Sequence, residues 1–144
     1  MIGIDTNILV YAHREDSEFH TIALESVLSL AEGTRRWAIP WPCVHEFLAI
    51  VTHPRIYTPP TPLSTAFDSI DVWLSAPSCW QVGEGLDYVK TLRKIAVAGK
   101  ISGPMVHDAR IAAICLHNGV TELWSADRDF SRYRQLKTRN PLVN

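Results

Sequence analysis

Asp5, Glu46, Asp108 and Asp127 are carboxylates that sit in or beside apolar segments of the chain. Removing a carboxylate from water costs several kcal/mol or more, so residues placed this way call for partners. Brought together, they would form a cluster with oxygen ligands only. Two carboxylates about 5 Å apart repel by roughly 3 kcal/mol at an effective dielectric of 20. Four therefore resist joint ionisation unless a hard cation lies among them. Oxygen ligands favour Mg²⁺ or Mn²⁺ over zinc. Such an ion activates water and stabilises a leaving oxyanion, which is the chemistry of phosphodiester hydrolysis.

The elements that must position these acids alternate between strand and helix. Residues 2–4 read as a short buried strand ending at Asp5, with Thr6 and Asn7 as turn or cap residues and a helical turn from Ile8. Apolar spacing predicts helices over 20–30, 42–51, 63–74, 86–97 and 104–116. Short strands are expected at 37–39, 79–82 and 121–125, and the proline-rich stretch 53–62 reads as an irregular, stiff connector. Alternating strands and helices imply a single α/β domain over 1–144, with a short-stranded parallel sheet flanked by helices on both faces.

Ligands of such sheets bind beyond the carboxyl ends of the strands. Asp5 and Asp127 both follow strands. Residues 42–46 and 104–108 share the pattern Pro-x-Val-His-acid. In each, proline opens a helix and the acid falls one turn in, near the positive end of the helix dipole. Two strand-end acids and two helix-start acids can thus converge on one edge. Each also has a plainer reading: Asp5 as a turn cap, Glu46 as an exposed helix face, Asp108 as a dipole residue, and Asp127 or Asp129 as part of an acid-rich turn.

Composition sets the bounds. The length of 144 residues, 47% hydrophobic and 20% charged, suits one soluble globular domain. No apolar run is long enough for a membrane span, and the N-terminal run lacks the basic region of a signal peptide. Cys43, Cys79 and Cys115 are odd in number and widely spaced, so reduced thiols of a cytoplasmic protein are expected. The net charge of −1 becomes mildly basic once the four candidate acids are set aside. Arg128, Arg132, Arg134, Lys137 and Arg139 face a single acid, Asp129, from residue 128 onward. That is either a basic rim for a polyanion or a solvated last segment. Most of the five tryptophans belong to core-forming segments, with base stacking open to Trp41 or Tyr57 if exposed.

Other motifs fail. Ala49 stands where HExxH needs its second histidine, Gly99-Lys100 lacks the preceding glycine of a phosphate loop, and no nucleophile elbow is present. His45 and His107 are not needed for hydrolysis at a metal cluster and read as surface or partly buried residues.

The start Ile4-Asp5-Thr6-Asn7, the helix-borne Glu46, the run from Asp108 to Ala112 and the segment Ser125 to Phe130 together resemble PIN-domain nucleases. The closest likeness is to VapC-type toxins, and it spans Asp5 to Phe130. The resemblance implies a Mg²⁺- or Mn²⁺-dependent endoribonuclease, often a homodimer, whose RNA cleavage is inhibited by a cognate VapB-like antitoxin. It assigns Asp5, Glu46, Asp108 and Asp127 as the catalytic quartet, and Asp5, Asp108, Asp127 and Asp129 to the metal. Asn7 and Ser125 would orient the carboxylates. The alternatives are a PIN-type nuclease for RNA processing or DNA structures, and a non-catalytic binding module of the same fold.

Overall fold

The computed structural model describes residues 1–143. Five strands form one parallel sheet: β1 (Ile2–Ile4), β2 (Trp37–Pro40), β3 (Cys79–Val82), β4 (Glu122–Trp124) and β5 (Lys137–Arg139), in the order β3-β2-β1-β4-β5. The helices are α1 (Thr6–His13), α2 (His20–Ala31), α3 (Trp41–Val51), α4 (Leu63–Ser75), α5 (Tyr88–Ala98) and α6 (Val106–His117). The first four pack as one group and α5 with α6 as another, so the sheet has a helical layer on each face.

A parallel sheet covered on both faces needs strands without polar alternation. Accordingly, every residue of β1 and β2 is buried. β1 is central, and its Gly3 permits the close approach of β4 and of Val120 just before it. A Cβ there would stand 3.0 Å from Val120 Cγ1 and 3.3 Å from Leu123 Cδ1. Trp37 anchors β2, fully buried, with its indole N–H donating to Ser78 Oγ at 3.0 Å.

Several details depart from the sequence reading. Helix α1 begins at Thr6, because the Asp5 side chain accepts from the Thr6 N–H at 2.8 Å and is itself the N-cap. Helix α5 begins at Tyr88, because Asp87 adopts a left-handed backbone (φ 65°) that a helix cannot include. The segment from Pro104 opens as a 3₁₀ turn, Gly103–Met105, and α6 proper starts at Val106. Gly103 turns the chain at φ 55°, so proline opens the tight turn and not the α-helix. Strand β5 gives no apolar signal. It is an edge strand of Lys137, Thr138 and Arg139, short and charged as exposed edges usually are. Trp80 lies on the other edge strand and faces outward, beneath the Arg36 guanidinium at 5.2 Å, while Trp37, Trp73 and Trp124 are buried.

The proline-rich connector is stapled to the end of α1. Arg14 donates to Pro59 O at 3.0 Å and to Thr61 Oγ1 at 3.1 Å, and lies over the Tyr57 ring at 4.2 Å. All three cysteines are buried and free, and among the described residues no helix is long and apolar enough to cross a membrane.

Candidate metal centre

Strand register builds the site. Ile4 pairs with Trp124, and the Asp5 N–H donates to Trp124 O at 3.0 Å, so Asp5 and Ser125 emerge side by side at the carboxyl edge. Ser125 Oγ donates to Asp5 Oδ2 at 2.7 Å and accepts from the Asp127 N–H at 2.9 Å. Asn7 closes the ring: its Nδ2 lies 3.3 Å from both Asp5 Oδ2 and Ser125 Oγ, and its Oδ1 accepts from Ala126 N at 3.1 Å. Both oxygens of Asp5 are therefore committed, and the carboxylate is only 5% exposed.

Helix α3 follows β2 without a break, which carries Glu46 into its second turn and toward Asp5. There Thr6 Oγ1 donates to Glu46 Oε2 at 2.6 Å. The sequence reading treated Thr6 only as a turn or cap residue. Its place in the site depends on a contact 40 residues away, which no local pattern signals.

Asp108, in the first turn of α6, meets Asp127 and Asp129, which flank the start of a 3₁₀ turn (Arg128–Arg132). The Asp129 N–H donates to Asp127 Oδ1 at 2.8 Å. Each of the three offers a carboxylate oxygen, and these oxygens lie within 4.8 Å of one another. All five acids are thus at one edge: an outer trio, with Asp5 and Glu46 behind it.

The electrostatics record this crowding. Burial pushes the Asp5 carboxyl up to about 6, against the hydrogen bonds from Ser125 and Thr6, and the charges of Glu46 and Asp108 add to the rise. Asp108 is also raised, first by burial and then by Asp127, Glu46 and Asp129. None of the five takes part in an ion pair among the described residues. An all-oxygen donor set, close-packed and without an ion pair to a basic residue, fits a hard divalent cation. The basic segment serves only partly as a rim: Arg132 borders Asp108 and Asp129, whereas Lys137 pairs with Glu122 at 3.8 Å and Arg139 lies over Trp124. His45 and His107 are exposed.

Ser125 joins three elements, so its removal is informative. Ser125→Ala leaves the Asp127 N–H without its acceptor and Asp5 Oδ2 without its shorter donor, which is expected to cost about 2 kcal/mol of stability. Thermal denaturation with and without Mn²⁺ checks this, and an unchanged melting temperature would contradict the role given to Oγ.

Fold and site together define an α/β domain with a carboxylate cluster at the carboxyl edge of a parallel sheet. A family model described as the PIN domain matches residues 2–136, and the chain belongs to that family. It is similar to VapC ribonuclease Mb2897 of Mycobacterium bovis, 34% identical over 142 residues that cover 99% of this chain and 96% of that protein. Ribonuclease VapC48 of Mycobacterium tuberculosis is 32% identical over 137 residues, covering 95% and 94%. Among solved structures, VapBC2 from Rickettsia felis, bound to a promoter DNA fragment, shares the fold with a TM-score of 0.70 at 19% identity, covering 97% and 98%.

Proposed function

We propose that this chain is a metal-dependent endoribonuclease, the toxin of a VapBC-like pair, and that it hydrolyses RNA phosphodiester bonds at the acidic cluster. The observation that carries the reading is the convergence of five carboxylates, from four separate segments, on one edge, none of them in an ion pair among the described residues. Near-full-length similarity to proteins named VapC ribonucleases supports RNA as the substrate.

Asp5, Asp108, Asp127 and Asp129 would hold Mg²⁺ or Mn²⁺, and Asp5, Glu46, Asp108 and Asp127 form the catalytic quartet. The bound ion supplies Lewis-acid charge against the phosphate and makes a neighbouring water more acidic. The protein groups do the rest. Asp5 is locked by Ser125, Asn7 and the Thr6 N–H, so its oxygens do not wander. Glu46 is held through Oε2 by Thr6, which leaves Oε1 to take a proton from the attacking water. Arg132 borders the trio and is placed to hold a flanking phosphate. The partners are RNA, a VapB-like antitoxin and, in a homodimer, a second copy of the chain, all in the cytoplasm.

Cleavage of total cellular RNA is expected to stop in excess EDTA and to return when Mg²⁺ or Mn²⁺ is restored. Undiminished cleavage in excess EDTA would rule out the metal reading. Absence of RNA cleavage by metal-loaded protein would rule out the substrate.

A further inference from the structure

Tyr133 follows the 3₁₀ turn that carries Asp129 and is almost fully buried, yet its phenol oxygen has no hydrogen-bond partner. It is the only buried side-chain polar atom so left among the described residues. An orphaned buried hydroxyl costs about 1–3 kcal/mol, so its persistence calls for a partner in another state of the protein. Its surroundings name one. A cavity of about 30 Å³ is lined by Met105, Asp108, Asp129, Arg132 and Tyr133, so it borders two of the outer trio. Burial raises the phenol's pKa, the Arg132 charge lowers it, and the charges of Asp108 and Asp129 raise it again, so both acids lie within electrostatic reach. Asp108 is the half-buried one of the two, and its own raised pKa has burial and neighbouring charges as causes, with no hydrogen bond to lower it.

We propose that Tyr133 is a positioning residue for the metal centre: its phenol O–H donates to the Asp108 carboxylate when a divalent cation is held by the trio. The cavity gives that carboxylate room to turn. One oxygen faces the cation while the other accepts from Oη, so a single rotamer serves both. A donor to the far oxygen fixes ligand orientation, and outer partners of this kind typically change metal affinity 10–100-fold. The inference rests on the metal-dependent reading given above.

The test is Mn²⁺ titration calorimetry on the full chain and on Tyr133→Phe, with melting temperatures in EDTA and in Mn²⁺. The variant is expected to bind Mn²⁺ about tenfold more weakly. Its melting temperature in EDTA should be equal to or above that of the parent, because the orphaned hydroxyl is gone. The Mn²⁺-induced rise in melting temperature should be recovered at about tenfold higher Mn²⁺. A tyrosine difference spectrum on Mn²⁺ addition should be present in the parent and absent in the variant. A Mn²⁺ affinity within twofold of the parent overturns the proposal and leaves the metal site standing. Weaker binding that accompanies a lower melting temperature in EDTA also overturns it, since that marks a packing role. A parent chain that binds no Mn²⁺ overturns both this proposal and the metal reading on which it rests.

Discussion

Asp5→Asn is expected to reduce RNA cleavage on the order of 10³-fold while making the metal-free protein more stable at neutral pH. On the proposed function, the loss follows from removing one anionic ligand of a cation that would supply several kcal/mol of charge stabilisation. The gain follows from linkage. Burial and neighbouring acids lift the Asp5 carboxyl from 3.8 to about 6 in the folded chain. Its contribution to stability is therefore full below the unfolded value and is lost as pH rises through 6. A shift of roughly two units corresponds to about 3 kcal/mol. Metal-free protein should thus lose stability between pH 4 and pH 7, and Asp5→Asn should flatten that slope. Denaturant titrations in EDTA across this range measure it, alongside cleavage assays at saturating Mn²⁺. Retained cleavage in the variant would remove Asp5 from the catalytic quartet, and an unaltered pH slope would refute the account of its burial.

Phe47→Ala is expected to cost about 3–5 kcal/mol, a large share of the 5–15 kcal/mol that holds an ordinary domain together. Phe47 is fully buried on α3, edge-on to His13 of α1 at 5.3 Å and to Trp73 of α4 at 5.1 Å. Truncation leaves a cavity where three helices meet, one residue from Glu46. The same change should therefore loosen Glu46 and lower activity before the chain unfolds. Phe47→Leu keeps more of the volume and should cost distinctly less. Urea unfolding of both variants decides the matter, and a loss below 1 kcal/mol for alanine would mean that α3 is held by something else.

The sequence makes legible those features that depend on local composition. Residues 2–4 and 37–39 are recognisable because a doubly covered sheet needs uninterrupted apolar runs in its central strands. The acids Asp5, Glu46, Asp108 and Asp127 stand out because carboxylates beside such runs are costly. What escaped depends on contacts between distant residues. β5 is charged because it lies at an edge, and only its pairing with β4 makes it a strand. Trp80 resembles a core residue until the strand order puts it at the rim. Thr6 resembles a cap residue until α3 brings Glu46 to its hydroxyl. The resemblance to PIN-domain nucleases put Asp129 on the metal side; in the fold its carboxylate oxygen lies within 4.8 Å of those of Asp108 and Asp127.

Asp5 does two jobs with one side chain: the oxygen that caps α1 belongs to the carboxylate at the heart of the cluster. For anyone producing this chain in living cells, that overlap decides how to disarm it. Alanine would remove the charge and uncap the helix together, so a silent product could simply be misfolded. Asparagine is itself a good capping residue and keeps the oxygen that α1 needs. On the proposed function, the Asn form is accordingly expected to be an inactive, correctly shaped bait with which to recover an inhibitor or trap an uncut transcript.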